Sequence, residues 1–322
     1  MRKLLLKTIV FFIIVAFSSP LAFAQEKFPT EPIRLIISHA PGGGTDMPAR
    51  VIQPYLQKAI GVPVVIENMV GAGGNIARAF VYKQKPDGFN LLVTQQPSMS
   101  SGEIVTGAKF ETLKLVHVFN ISGRNYDCVA VPFDSPFKTI EDMKKASQSQ
   151  PLTSAGTGIG TNAYIVAMLL QKVGVNLTYV PFNSGVEAAL AVAGGKTQMG
   201  SGALDSYYPL HEAKKLRILA GTGPVRDESH KEIPNMTELG YPQVKLDQMT
   251  GVFAPPGLPK DRLDILVKAF EKAAADPEFK AAAAKAKLTL QPLSGDEFFK
   301  ASKAMYDTVK GMEDLLKAVP GK

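Results

Sequence analysis

A run of three glycines between a predicted strand and a predicted helix is the strongest constraint on how this 322-residue chain folds. The run, 42–44, lies between the apolar segment 33–38 and residues 51–59, where apolar side chains recur at helical spacing. Such a turn needs the backbone freedom of glycine, and it leaves the first amides of the helix without intrahelical acceptors. These amides and the positive end of the helix dipole favour an anion. An ordinary glycine turn without a ligand is the alternative.

Two side chains flank the glycine run. Asp46 is predicted to cap the helix, with Pro48 inside the first turn, where a missing amide costs nothing. His39 immediately precedes the loop, and it is interpreted either as a hydrogen-bond donor to an anion or as a turn residue that faces solvent.

Strands and helices alternate along the rest of the first half. A strand at 64–67 leads into a second glycine turn at 71–75, and a strand at 91–94 ends in Gln95. This alternation is typical of a parallel sheet in an α/β domain, where ligands bind beyond the carboxyl ends of the strands. The glycines match neither the dinucleotide spacing Gly-x-Gly-x-x-Gly nor a Gly-Lys-Ser/Thr phosphate loop, so no nucleotide cofactor is predicted.

The same pattern begins again after residue 128 and indicates a second lobe. Residues 152–162 repeat the order of strand end, glycines and helix start, and the next helix covers about 163–173, with Thr161 or Asn162 as its cap. The hydroxyl donors that this loop adds belong to Ser154, Thr157 and Thr161. Two such loops, one in each half, indicate a ligand held between two lobes.

The chain is predicted to cross between the lobes near 123–128 and 245–250, and two crossings can form a hinge. The resulting division is a leader at 1–24, lobe 1 at 25–126 plus 247–322, and lobe 2 at 127–246. Helices are expected at about 260–275, 277–286 and 295–318, packed on the first lobe, with a short one at 234–240.

The N-terminus is typical of a secretory signal peptide. Positive residues at 2, 3 and 7 precede the apolar segment 8–17, and Ala22-Phe23-Ala24 forms a small-x-small cleavage site. Cleavage near Ala24-Gln25 would deliver the mature chain to the periplasm. No later segment is long and apolar enough to span a membrane. The single cysteine, Cys128, excludes an intrachain disulfide, and its apolar surroundings predict a buried thiol.

Charge and side-chain chemistry narrow the function further. The formal net charge is +7, and three of the cations belong to the leader, so the mild positive balance that remains suits a small anionic ligand. No basic run carries interleaved aromatic residues, so nucleic acid is not a predicted partner. The four histidines lack metal-ligand spacing, and no serine has a Gly-x-Ser-x-Gly context. We therefore predict no catalytic residue, metal or cofactor.

Short segments follow one another along the mature chain in the order of a known family. They are Pro41-Gly42-Gly43-Gly44-Thr45-Asp46, Val64-Val65-Ile66-Glu67-Asn68, Gly71-Ala72-Gly73-Gly74-Asn75, Pro86-Asp87-Gly88, Ser154-Ala155-Gly156-Thr157-Gly158, Val180-Pro181-Phe182, Leu216-Arg217-Ile218-Leu219-Ala220, Glu238-Leu239-Gly240 and Phe253-Ala254-Pro255. Together they resemble the solute receptors of tripartite tricarboxylate transporters, often called Bug receptors.

The resemblance implies a type II periplasmic binding-protein fold, in which two α/β lobes joined by a two-crossing hinge close on a ligand, often a carboxylate. It also implies integral-membrane transporter subunits as partners. In the family, the loops that match 42–46 and 154–162 hold the carboxylate. This chain departs from the family at three places: His39 stands where an aromatic residue is usual, Asn162-Ala163-Tyr164 where a histidine often occurs, and Gly202 where an aspartate often occurs, with Asp205 nearest.

The sequence thus predicts a monomeric periplasmic solute-binding receptor that captures a small organic anion and delivers it to a tripartite tricarboxylate-type transporter. The alternatives are the ligand-binding module of a sensory system and a periplasmic enzyme acting on a carboxylated substrate. The predicted ligand-binding residues are His39, Gly42, Gly43, Gly44, Thr45, Asp46, Gln95, Ser154, Gly156, Thr157, Gly158, Gly160, Thr161, Asn162, Asn183, Gly185 and Asp205.

Overall fold

Two β-sheets, each covered by helices, make up the part of the chain that the computed structural model describes, residues 28–123, 126–227 and 229–318. The predicted signal peptide and its cleavage site lie outside these residues. The strands are β1 Ile33–Ile37, β2 Val64–Asn68, β3 Asn90–Gln96, β4 Val116–Gly123, β5 Asp127–Pro132, β6 Leu152–Thr157, β7 Leu177–Phe182, β8 Met199–Ala203, β9 Leu216–Gly221, β10 Met249–Ala254 and β11 Leu290–Ser294.

The helices follow the strands in chain order. They are α1 Asp46–Ile60, α2 Asn75–Tyr82, α3 Ser98–Thr106, α4 Ile140–Ala146, α5 Asn162–Lys172, α6 Gly185–Ala193, α7 Leu204–Glu212, α8 Lys260–Ala275, α9 Pro277–Lys285, α10 Gly295–Lys310 and α11 Glu313–Lys317. None of the helices within the described ranges is long and apolar enough to cross a membrane.

Both sheets are mixed, which confirms two α/β lobes but corrects the expectation of a purely parallel sheet. The first sheet has the order β11-β4-β10-β3-β1-β2, and the second has the order β7-β6-β8-β5-β9. Strands β1, β2 and β3 are connected through helices, and β1 pairs in parallel with both β2 and β3. In contrast, β5 and β10 pair antiparallel with all their neighbours. Each of these two strands follows a segment from the other sheet, so no crossover helix fixes its direction.

Apolar packing explains why the predicted strands and helices form. In the first lobe, buried Leu35 and Ile37 of β1 lie in one cluster with Ile52 and Leu56 of α1. In the second lobe, α5 is buried along most of its length because it packs between the sheet and the end of the chain. Burial of such side chains contributes about 1.5–3 kcal/mol each.

Two helix predictions need correction, and one helix was not predicted. Residues 234–240 form turns, because Asn235 and Glu238 exchange hydrogen bonds with each other's backbone and Gly240 leaves the helical region at φ +87°. The long helix predicted at 295–318 ends at Lys310, with Gly311 as its C-cap, and resumes as α11. Helix α3 was not predicted, because it is buried on most sides and rich in serine, so it has no apolar stripe at helical spacing.

The end of the chain reaches the second lobe, although the last helices were all expected to pack on the first. Val309 of α10 and Leu316 of α11 are fully buried in the cluster that includes Val166 of α5. Tyr164 Oη donates a 2.8 Å hydrogen bond to the carbonyl oxygen of Leu316. Helices α8 and α9 do lie on the first lobe, where Phe270 and Phe279 belong to its core. The expectation is therefore right for α8 and α9, whereas α11 packs against α3 of the first lobe and α5 of the second.

Candidate ligand-binding cleft

A small cleft lies between the two predicted glycine loops. It encloses about 60 Å³ and combines the start of α1 with the starts of α5 and α6. Its lining residues are His39, Ala40, Pro41, Gly43, Gly44, Thr45, Gln95, Ser98, Asp127, Thr157, Thr161, Asn162, Ala163, Ser184, Gly185, Val186, Gly202, Ala203 and Ser206. The two loops therefore share one cavity, as the sequence predicted.

The structure brings about half of the predicted ligand-binding residues to this cavity. Those that line it are His39, Gly43, Gly44, Thr45, Gln95, Thr157, Thr161, Asn162 and Gly185. Gly42 and Asp205 line a separate opening of about 260 Å³ nearby. Asp46 and Ser154 are buried beside the cleft, and Asn183 is exposed outside it. The remaining three, Gly156, Gly158 and Gly160, lie within 152–162 but do not line the cavity.

Asp46 holds the first loop in shape instead of capping α1. The N-cap is Thr45, which makes no side-chain cap hydrogen bond. The buried Asp46 carboxylate accepts hydrogen bonds from the Gly42 amide at 2.8 Å, from Arg50 Nε at 2.6 Å and from Asn68 Nδ2 at 2.8 Å. Burial raises the pKa of Asp46, but these hydrogen bonds and the Arg50 charge outweigh it and hold the pKa below its ordinary value. The carboxylate is therefore ionised, and both of its oxygens accept hydrogen bonds from these three residues.

His39 is neutral at the mouth of this loop. Burial, and then the nearby charge of Arg78, lower the pKa of His39 to about 3. Its Nδ1 lies 2.9 Å from Ser38 Oγ and 3.2 Å from Thr45 Oγ1. At pH 7 the neutral imidazole thus lies within hydrogen-bond distance of two hydroxyl groups, and it adds no charge to the cleft.

Arg78 of α2 places a buried positive charge on the first-lobe side of the cleft. The side chain is fully buried, and it donates to Thr94 Oγ1, Asn75 Oδ1 and Ser98 Oγ, which are all neutral. No carboxylate in the described part of the chain pairs with it. Burial lowers the pKa of Arg78 to about 9, so it remains charged at pH 7. Because Ser98 Oγ accepts from the guanidinium at 2.9 Å, its own proton is available to an acceptor in the cavity.

The second loop contributes backbone amides. Thr161 is the N-cap of α5, as predicted: its hydroxyl accepts from the Tyr164 amide and donates to the carbonyl oxygens of Thr157 and Gly158. That hydroxyl proton is therefore already used within the loop. The amides of Asn162 and Ala163 have no acceptor among the residues described, and both residues line the cavity. A helix start of this kind is suited to an anion.

Glycines let the lobes approach closely beside the cleft. A Cβ atom at Gly158 would lie 2.9 Å from Gly73 Cα, and one at Gly160 would lie 3.3 Å from Gly102 Cα. Gly158 and Gly160 also have positive φ angles, +25° and +79°. The second glycine turn of the first lobe, 71–75, therefore lies beside His39 and contacts the opposite loop, although it does not line the cavity.

Sequence reasoning missed three residues that shape the cleft. Arg78 lies between Ala77 and Val81 on the buried side of α2. A charged residue within an apolar helix face is the sequence feature that could have identified it. Asp127 opens a strand that is otherwise apolar, at the predicted crossing between lobes. Ser98 begins the helix α3 that was not predicted. Within the described ranges, no three His, Cys, Asp or Glu side chains could together hold a metal ion.

Cys128 is buried, as the sequence predicted, and burial raises the pKa of its thiol well above the ordinary value. It lies on β5 in an apolar cluster with Ala130 and Tyr207. A thiol in this environment is unreactive and structural.

Comparisons with known proteins agree on one family. A protein of Cupriavidus necator, described as the UPF0065 protein in the gbd 5′ region, is 31% identical over 270 residues, which are 83% of this chain and 81% of that protein. A solved structure described as a periplasmic transporter is 26% identical, with a TM-score of 0.82, over 91% of this chain and 98% of the other. MatC from Rhodopseudomonas palustris, solved with bound malate, has a TM-score of 0.80 at 23% identity, over 90% of this chain and 100% of its own. Since the family model described as "Tripartite tricarboxylate transporter family receptor" also matches residues 48–319, this chain belongs to that family of periplasmic solute-binding receptors.

Proposed function

We propose that this receptor binds a small organic carboxylate between its lobes and delivers it to the integral-membrane subunits of a tripartite transporter. The observation that carries the ligand class is Arg78, a buried guanidinium whose recorded partners are all neutral. An unpaired buried charge costs several kcal/mol, and a counter-charge offsets that cost. The bound malate of the related MatC supports the same ligand class.

The carboxylate would be held by groups of both lobes. On the first lobe, the Ser98 hydroxyl accepts from the Arg78 guanidinium and would donate its own proton to the carboxylate, and Gly43 and Thr45 of the glycine loop line the same cavity. On the second lobe, the amides of Asn162 and Ala163 at the start of α5 complete the site. Each hydrogen bond to a charged group contributes about 1.5–3 kcal/mol, so removing one contact should weaken binding by tenfold or more.

Transport follows from how the ligand joins the lobes. A ligand that contacts lobe 1 (25–126 and 247–322) and lobe 2 (127–246) favours the closed arrangement over open ones, which is a shift in population and needs no chemistry. The mature protein, after cleavage near Ala24-Gln25, would act as a monomer in the periplasm and present the closed form to the membrane subunits.

A thermal-shift screen tests the ligand class. Mono-, di- and tricarboxylates should raise Tm by several °C at saturating concentration, because a ligand present at about 100 times its Kd stabilises the native state by about 2.7 kcal/mol. The uncharged amide of each acid is the matched control and should give no shift. Recovery of the ligand unchanged after incubation separates a receptor from an enzyme. If no carboxylate raises Tm, or if the amides act equally well, the proposal is wrong.

A further inference from the structure

The second lobe places an unpaired carboxylate in the same cleft. Asp127, the first residue of β5, lines the cavity and is 3% exposed. Its Oδ2 atom is buried and has no hydrogen-bond partner among the described residues. A buried carboxylate oxygen without a partner costs folding free energy, so its presence at a ligand cavity needs an explanation.

The groups around Asp127 do not compensate its charge. Gln248 is a polar neighbour whose amide lowers the pKa of Asp127 but does not outweigh burial; its Oε1 accepts from Asn162 Nδ2, and its Nε2 makes no hydrogen bond of ordinary geometry in the described ranges. The titratable neighbours are Cys128, Tyr179 and Tyr207, and burial raises the pKa of each, so all three are neutral at pH 7. His39, across the cleft, is neutral as well. No cation of the described chain pairs with Asp127.

The cleft therefore has a guanidinium on one side and a carboxyl group on the other, and neither has an oppositely charged partner in the described part of the chain. Arg78 lies behind the first-lobe wall, and Asp127 lies in the second-lobe wall. A dicarboxylate would satisfy the first charge but would bring a second carboxylate towards Asp127, where like charges repel in a poorly solvated site. A ligand with one carboxylate and one cationic nitrogen complements both.

We propose that Asp127 is the specificity-determining residue of the cleft and that the ligand is an amino acid, whose ammonium group donates to Asp127 while its carboxylate faces the glycine loop of the first lobe. This inference rests on the proposed function, since it assumes that the cavity binds a carboxylate. Small neighbours leave room for the contact: Ala203, which pairs with Asp127 across the sheet, also lines the cavity.

The test is isothermal titration calorimetry with two series of ligands, and the members of each series share one carbon skeleton. The first series is alanine, lactate and propionate, and the second is aspartate, malate and succinate. The wild type should bind an amino acid of the fitting length at least tenfold more tightly than its hydroxy and dicarboxylate counterparts. Asp127→Asn should remove that preference and leave monocarboxylate affinity within about threefold. Asp134→Asn, an exposed acid of the same lobe, is the matched control and should change nothing.

The wild type supplies a second measurement that does not depend on a folded variant. Between about pH 6 and about pH 8 the affinity for the amino acid should rise, because Asp127 ionises over this range, whereas the ammonium and carboxylate of the ligand do not titrate there. A dicarboxylate should bind less tightly over the same range. A preference for hydroxy or dicarboxylic acids, or an equal loss for all ligands in Asp127→Asn, overturns the inference but leaves the receptor function intact. If no carboxylate of any kind binds, the proposed function itself fails.

Discussion

Asn162 Nδ2 donates a 2.8 Å hydrogen bond to Gln248 Oε1, and both side chains are buried. The contact joins the first residue of α5 to the segment just before β10, by which the chain returns to the first sheet. The backbone amides at the start of α5 are thus held in place by a residue that is distant in sequence. Their orientation towards the cleft depends on the hydrogen bond between Asn162 and Gln248.

Gln248→Ala should therefore weaken both the fold and the site. The variant leaves the buried Asn162 amide without an acceptor, which costs about 1–3 kcal/mol of unfolding free energy. Because the start of α5 loses its anchor, carboxylate affinity should fall as well. Urea denaturation and calorimetric titration measure the two effects. Gln148→Ala, which changes an exposed amide of the second lobe, should alter neither; a stable Gln248→Ala protein with unchanged affinity would contradict the prediction.

Asp46→Asn should destabilise the protein in a pH-dependent way. The pKa of Asp46 is lowered in the folded state, so its contribution is fully present above its ordinary value and is lost as pH falls through the folded value. We expect a loss of about 1–3 kcal/mol at pH 7 that shrinks below about pH 4.

Chemical denaturation at pH 7 and at about pH 3.5 checks this difference between wild type and Asp46→Asn. Asp264→Asn is the control, because Asp264 forms an exposed pair with Lys260 four residues away at 2.7 Å. Exposed pairs contribute about 0–1 kcal/mol, so this variant should behave like the wild type. Equal losses in the two variants would remove the structural role assigned to Asp46.

Asp127→Asn should stabilise the unliganded protein at high pH. Burial raises the pKa of Asp127 to about 7, while the Gln248 amide opposes the shift. With a folded pKa above the unfolded value, the folded state holds its proton longer, and stability falls as pH rises from about 4 to about 7.

The Asn variant lacks this loss, so its advantage over the wild type should grow across that range and level off above about pH 7, at a few kcal/mol in order of magnitude. Thermal unfolding at several pH values without ligand measures the advantage. A constant difference between the two proteins at all pH values would show that Asp127 does not titrate in this range.

Gly158→Ala should hold the lobes apart. Its Cβ would lie 2.9 Å from Gly73 Cα, too close for backbone atoms that cannot rotate away. The closed arrangement should become less populated, with at least a tenfold loss of affinity and a larger radius of gyration with ligand present, measured by small-angle X-ray scattering. Gly240→Ala is the control, since φ is +87° there but no atom lies within 4 Å of the added Cβ. Normal affinity in Gly158→Ala would mean that the contact is not needed for binding.

The sequence predicts local features well and long-range placement poorly. The turn at 42–46 and the cap at Thr161 depend on neighbouring residues, so glycines, hydroxyls and apolar spacing were enough to find them. Asp46 was placed correctly at the helix start but given the wrong role: Arg50 reaches it from the next turn of the same helix, whereas Asn68 approaches it only after α1 packs on β2. Whether Arg78 and Asp127 face one cavity depends on how two separate sheets meet, and no local pattern contains that information.

The hydrogen bond from Tyr164 to the Leu316 carbonyl gives the lobes a further connection besides the two places where the chain passes between the sheets. Two connections alone would let one lobe twist as well as swing. With α11 anchored in the core of the second lobe while α10 lies against β4 of the first, twisting would pull buried Leu316 into water. We therefore expect opening to follow a single rotation axis, so that every ligand enters and leaves the receptor from the same side.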